Sequence, residues 1–360
     1  NEYGLGPGRD FRVVPRPVAQ QRNDCWGYAS MNRWHVGNER LEEPLLQAHG
    51  HGSRGFLLCA AVVFTVLVLQ WSLNSGRLAH DSTYDDVQYL TDGLKRLQIL
   101  YQQGALPFLR NWAVNPPHSP WSSTLAIIGF ALFGIHDWAP YAMNGLLVFA
   151  IFLFCERILK TVALPLRLLT VLLMVFTPFM VVAVNEFRPD LAVAFFTAAA
   201  VFCAVSGAFA ESGERAKRYA RIGGCLLGAA LLAKPSFFLH TALMGFCAMG
   251  VLLAGRICAE KGSPANRGTV WRAAAEFIGL ALLMALPYYL LSWQHVLNYF
   301  WNNAVSADSD VWKIKGNLFN TVDFYLVSGP AAAMTGAFAF LYCALIGLGI
   351  VVRLVRREWP

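Results

Sequence analysis

Charge is scarce in this sequence. Asp, Glu, Lys and Arg supply 14% of its 360 residues, and with 56% hydrophobic residues and a mean hydropathy of +0.44 the chain is too apolar for a soluble domain. Several chemical signatures are missing as well. None of the eight cysteines forms a CxxC or a Cys/His ligand spacing, which argues against structural zinc and leaves Cys59, Cys155, Cys203, Cys225, Cys247 and Cys343 as unpaired packing residues in apolar runs. There is no Walker sequence, no GxSxG and no HExxH, so P-loop, α/β-hydrolase and zincin chemistries have no anchor. No period of 20 to 50 residues repeats, which excludes a solenoid and gives no sign of the inverted halves of many transporters. A basic patch is also lacking: Lys and Arg are dispersed between apolar runs, so the net charge of +7 and pI near 9.0 report topology and not nucleic acid.

What the chain does have is a series of apolar runs that approach bilayer length, as expected of an all-α polytopic membrane protein. Residues 1–54 are rich in Gly, Pro, Arg and polar residues and read as a largely flexible cytoplasmic tail, with Trp26, Tyr28 and Trp34 either incidental or docking it. A signal peptide is not expected there, because its apolar core would lie nearer the start. The transmembrane domain occupies 55–360. Its runs fall at about 55–73, 139–155, 163–184, 190–210, 222–233, 236–255, 273–291 and 329–352, with a shorter one at 122–135.

Parity decides the short run. The segments 211–221 and 256–272 and the terminal RLVRREWP are rich in Lys and Arg and belong in the cytoplasm. A cytoplasmic amino terminus then requires that 122–135, too short for a span of about 20 residues, lie on or dip into the outer face. Eight spans result, with both termini cytoplasmic and 21 of the 29 Lys and Arg inside. External loops 74–138 and 292–328, the turn NEFRPD (185–190) and the Lys234-Pro235 turn share the outer face, and charges gathered at span ends mark a candidate site.

The chain is organised around YDDVQYLTDGLKRLQILYQQ (84–103). Its apolar residues Tyr84, Val87, Leu90, Leu94, Leu97 and Tyr101 recur at steps of three and four, predicting a helix that floats one face in the membrane interface. Asp85 and Asp86 sit in its first turn, where Ser82-x-x-Asp85 and Thr83-x-x-Asp86 also read as helix caps. Asp81 and Asp92 read as solvated. Arg188 pairs with Asp190 or Glu186, or reaches an anionic ligand; Asp190, after Pro189, opens a helix. Lys234 either snorkels or binds a phosphate, and Arg110, Lys313 and Lys315 are lower-ranked phosphate candidates. His118 either orients a substrate or metal or is a plain loop histidine. Asp308-Ser309-Asp310 imitates a DxD motif without the α/β context it needs, and Trp293, Tyr299, Phe300, Trp301 and Trp312 read as an aromatic belt or a sugar-stacking surface.

Four of these stretches together resemble a known family. Asp85-Asp86-Val87-Gln88-Tyr89 after the first span resembles the signature of GT-C glycosyltransferases of the protein O-mannosyltransferase and aminoarabinose transferase type, where the acidic pair usually reads Asp-Glu. NPPHSPWSSTLAIIGFALFG (115–134) is similar to their Pro-rich entry and short helix, NEFRPDLAVAFF (185–196) to their Arg-x-Asp turn, and LLAKPSFFL (231–239) to their Lys-Pro turn. The resemblance covers roughly 55–260 in the family's order. It implies transfer of a sugar from a polyprenyl-phosphate carrier to a hydroxyl acceptor (lipid, glycan or Ser/Thr) on the non-cytoplasmic face of a membrane. Asp85 would be the general base with Asp86 beside it; Arg188, Lys234, Arg110, Lys313 and Lys315 would serve the donor phosphate; and His118, Tyr89, Glu186 and Asp190 would position substrate. Such chemistry needs a base near the acceptor and positive charge near the departing phosphate. No cofactor is called for, with a divalent cation left open; a membrane protein partner for acceptor recognition is also left open, and nucleic acid is not expected. The alternative is a non-enzymatic transporter or scaffold subunit for lipid-linked substrates.

Overall fold

The computed structural model describes residues 39–80, 85–259, 267–304, 319–320, 323, 347–348 and 351. The chain divides into two compact units, residues 1–50 with 349–360, and residues 51–348. Of the first, the described part is the helical segment 39–50 and Val351; the second holds the remaining elements. Among the described residues the structure is helical, with no strand.

Helix α1 (Glu39–Ser75) contains the first apolar span, Gly52–Ser75. Residues 39–54, read above as part of a largely flexible tail, are helical and continuous with the span. A 3₁₀ turn (Arg77–Ala79) follows, then α2 (Asp85–Gln103), α3 (Ala105–Val114) and α4 (Pro120–Phe133). Gly104, at φ 89°, breaks α2 from α3 with a backbone that a side chain would strain. Ser119 caps α4 by accepting from the Ser122 N–H, with Pro120 in the first turn, as an N-terminus prefers.

Next come α5 (Ala139–Ala142) and α6 (Asn144–Ile158), which together make an apolar span of 20 residues. Helices α7 (Leu164–Leu173) and α8 (Pro178–Asn185) are apolar enough to cross together but bend by 66° at Thr177-Pro178, where proline lacks the N–H and forces an extended predecessor. Then follow α9 (Asp190–Ala208), α10 (Gly213–Ala233), α11 (Phe238–Ala259) and α12 (Arg267–Ala304). Among the described residues, five helical segments are long and apolar enough to span a bilayer, six if the bent pair counts as one. The run expected at 222–233 is the second half of α10, whose 21 residues begin with GERAKRYAR and so fall short of a span's apolarity. The run at 329–352 lies almost wholly outside the described residues.

Contacts sort the helix ends into two sets. At one end, the Tyr141 hydroxyl meets Asp86, the Ser119 hydroxyl donates to Ala233 C=O at 2.6 Å, and Tyr288 donates to Pro117 C=O at 2.7 Å. At the other, Arg167 pairs with Glu156, Arg221 with Glu276, and Arg256 donates to Ala210 C=O. Helix α4 starts at the first set, where its cap residue Ser119 bonds Ala233 C=O. Its 14 residues rise about 21 Å, short of a bilayer core of about 30 Å.

Packing corrects the expected role of α2. Half of its apolar stripe turns to protein: Leu97 is buried and Leu90 and Leu94 pack on the core, with Tyr89 buried beside them, whereas Val87 and Tyr101 are exposed and Tyr84 lies outside the described residues. The reason is Gly93, which lets α2 approach α4 so closely that a Cβ there would lie 2.4 Å from the Ala126 methyl. Glycine serves α10 likewise. A Cβ at Gly224 would lie 2.4 Å from Phe277 C=O of α12, so α10 sits between α9 and α12 at near-backbone contact.

Candidate functional site

At the first set of helix ends a group of charged residues is arranged around Asp86. This carboxylate is wholly buried. Its Oδ2 accepts from the Tyr141 hydroxyl at 2.7 Å and from the Phe187 N–H at 3.3 Å, and lies 3.1 Å from Arg77 Nη2; its Oδ1 lies 3.6 Å from Arg188 Nε. Glu186 completes a quartet, 3.5 Å from Arg77 and 4.0 Å from Arg188. Two guanidinium groups and two carboxylates cancel, which is the condition for keeping Asp86 charged out of water.

Local structure holds this quartet in place. Arg77 lies in the 3₁₀ turn that ends the first span, where Ser72 Oγ accepts the Leu78 N–H at 3.1 Å and bonds the Asn185 side chain. Asn144, at the start of α6, donates through Nδ2 to the carbonyls of Val184 and Glu186, tying down the turn that carries Phe187 and Arg188. Arg188 therefore faces Asp86 and Glu186, while Asp190 pairs elsewhere, its Oδ1 2.6 Å from Lys234 Nζ. Lys234 also lies over the Phe237 ring, 4.9 Å from its centroid.

Two hollows flank the Lys234-Pro235 turn. One, of about 420 Å³, is an apolar cleft between α9 and α11 lined by Val193, Ala194, Thr197, Ala198, Val201 and Met244, with Asp190 and Lys234 at its end. The other, of about 320 Å³, is lined by Gln88, Tyr89, Asp92 and Arg96 of α2, by Asn115 to His118, by Ser123 and Ser236, and by Tyr288, His295 and Tyr299 of α12. His118 sits between rings, 4.7 Å from Tyr299 and 6.2 Å from Tyr89. Asp92, expected to be solvated, instead pairs with buried Arg96 at 2.8 Å. Arg96 in turn donates to Asn111 and to Asn115 C=O and lies 4.7 Å from the Trp112 ring centroid, fixing the Pro-rich segment beside the cavity.

Gln88, Tyr89, Asp92 and Arg96 form one stripe of α2. In helical register, Asp85 heads that stripe, three and four residues before Gln88 and Tyr89. Its side chain lies outside the described residues, as do Lys313, Lys315, Asp308, Asp310 and Trp312. Arg110 is exposed on α3, and Trp293 and Trp301 are exposed on α12. Among the described residues no group of three His, Cys, Asp or Glu side chains could hold a metal ion, and the described cysteines are free thiols.

Arg77 and Tyr141, which make the closest contacts to Asp86, were not singled out from sequence. Arg77 offered one usable signal, being a cation immediately after a span; Tyr141 looks like any aromatic at the start of an apolar run. Comparison with known families, curated proteins and solved structures gives no match: no family model fits the chain, and neither a curated protein nor a solved structure matches it.

Proposed function

We propose that the chain is an integral membrane glycosyltransferase of the GT-C type, with eight spans and cytoplasmic termini, that moves a sugar from a polyprenyl-phosphate carrier to a hydroxyl acceptor on the non-cytoplasmic face. The observation that carries this reading is convergence. Four stretches far apart in sequence meet at one end of the bundle: Asp86 bonds the Phe187 N–H, Ser119 bonds Ala233, Lys234 bonds Asp190, and Tyr89 stacks with His118.

In this reading the isoprenoid chain lies in the apolar cleft between α9 and α11, with its phosphate at the Lys234 end. Lys234 is neutralised by Asp190, whose side chain is 45% exposed and free to swing into water when a phosphate takes its place. The sugar then passes over Pro235 and Ser236 towards the second cavity. Asp85, heading the α2 stripe that lines that cavity, takes the proton of the acceptor hydroxyl as its oxygen attacks the anomeric carbon; the C–O bond to phosphate breaks, and the phosphate leaves with the electron pair. Asp86, buried and ion-paired, holds the helix start against the 186–188 turn and acts as a positioning residue.

The test is incubation of the purified full chain with a panel of labelled polyprenyl-phosphate sugars and a hydroxyl acceptor. Release of free polyprenyl phosphate with label on the acceptor supports the reading. Uptake or binding of the carrier with the sugar still attached would replace it with a transporter or scaffold.

A further inference from the structure

We infer that the seam between α10 and α12, at the set of helix ends away from Asp86, binds one anionic phospholipid of the bilayer. Arg218, Arg221 and Arg272 hold its phosphodiester, and an acyl chain lies along Cys225, Gly279 and Leu283. Such a site stands whether or not the chain transfers a sugar.

Charge points to the head. Arg221 of α10 pairs with Glu276 of α12 through two bonds of 2.9 and 3.1 Å, and Arg272 lies 4.0 Å from the same carboxylate. Nearer the start of α10, Lys217 takes Glu214 at 2.7 Å, while Arg218 is exposed and pairs with no carboxylate among the described residues. Lys217, Arg218, Arg221 and Arg272 are thus four cations against the two carboxylates Glu214 and Glu276. The surplus is felt locally: the Glu214 carboxyl is held below its usual range, first by its hydrogen bond from Lys217 and then by the charge of Lys217, with Arg221 and Arg272 adding to it. Clusters of this kind at span ends attract anionic lipid heads, and guanidinium groups suit a phosphate because they offer paired N–H donors. The same head answers a need of α10, whose charged first half leaves it short of a span's apolarity.

Shape points to the tail. By helical register Arg218, Arg221 and Cys225 share one arc of α10, and Arg272, Gly279 and Leu283 share one arc of α12. The Arg221–Glu276 pair joins the two arcs, and all six of these residues are exposed. Behind them the helices touch closely, since a Cβ at Gly224 would lie 2.4 Å from Phe277 C=O, but a Cβ at Gly279 would meet nothing within 4 Å. A shallow apolar channel therefore leads from the cations along the seam. Val270 opens the apolar stretch of α12, which puts Arg272 and Glu276 in its first two turns and the channel deeper in the bilayer. A free phosphate would leave that channel empty, and a soluble acidic partner would not reach it. A phospholipid fills both parts.

Native mass spectrometry of the full chain, released from detergent micelles carrying phosphatidylglycerol or phosphatidylcholine with matched acyl chains, tests the site. Phosphatidylglycerol should bind at least about fivefold more tightly than phosphatidylcholine. Arg218→Gln combined with Arg272→Gln, at exposed positions, should cut that preference to within about twofold. Gly279→Leu fills open space without touching the helix contact and should weaken phosphatidylglycerol at least about threefold. Glu276→Gln removes the carboxylate that competes with the phosphate and should tighten phosphatidylglycerol binding, a gain that a purely structural ion pair would not produce. Arg157→Gln, an exposed cation at the end of α6, is the control and should leave the preference unchanged. Equal binding of the two lipids, a preference that survives the double variant, or weaker phosphatidylglycerol binding in Glu276→Gln overturns the inference. So does an equal loss in Arg157→Gln, which would mean diffuse charge, and so does displacement of the lipid by excess inorganic phosphate, which would mean a site for the free anion.

Discussion

The Tyr141 hydroxyl donates a 2.7 Å hydrogen bond to Asp86 Oδ2, joining the start of the α5–α6 span to the first turn of α2. With Arg77 and Arg188 on the same carboxylate, this makes Asp86 the point where three separate segments are fastened. Its neighbour Asp85 stands about 100° further round the helix by register. The proposed reaction gives these adjacent acids different roles.

Those assignments separate under mutation. Asp85→Asn is expected to abolish sugar transfer while thermal unfolding in detergent stays unchanged. Asp86→Asn leaves Glu186 as the one carboxylate shared by two guanidinium groups and should lower stability towards the bottom of the range of about 3–5 kcal/mol for breaking a buried pair, since Arg77 and Arg188 keep some exposure. Equal stability loss in the two variants, or wild-type transfer by Asp85→Asn, contradicts the division of roles.

Tyr141→Phe isolates one bond of the quartet. Asp86 keeps Arg77 and the Phe187 N–H, so the cost should be about 1–3 kcal/mol, that of a lost buried hydrogen bond. Equilibrium unfolding in mixed micelles reads it. A change within error would mean that the hydroxyl does not contribute to holding Asp86.

Lys234→Met keeps the length and apolar body of the side chain and removes its charge. If the donor phosphate displaces Asp190 from Lys234, KM for the lipid-linked sugar should rise at least about tenfold with a smaller change in kcat, the pattern of a lost ground-state contact. An unchanged KM removes Lys234 from the donor site.

Gly93→Val tests the seat of α2. The added side chain meets Ala126 at a distance no Cβ tolerates, so α2 must shift from α4, destabilising by about 1–3 kcal/mol and weakening transfer by displacing the Asp85 stripe. Gly52→Ala, which meets nothing within 4 Å, is the control and should leave both quantities unchanged. Activity retained in a fully folded Gly93→Val protein would show that the seat of α2 does not matter to the site.

The sequence by itself determined the helical, membrane-spanning class, because apolar run length and the 3.6-residue period are local properties that need no partner. It also located the stretches that come together: DDVQY, NPPHSP, NEFRPD and AKP all stand at one set of helix ends. Tertiary structure decided which charges meet. From sequence Arg188 had three candidate partners, and only the turn held by Asn144 aims it at Asp86 and leaves Asp190 to Lys234. The same holds for the stripe of α2, whose period says that one face is apolar but not whether lipid or protein covers it. Gly93 against Ala126 gives it to protein, a matter of close packing between residues distant in sequence that no local pattern encodes.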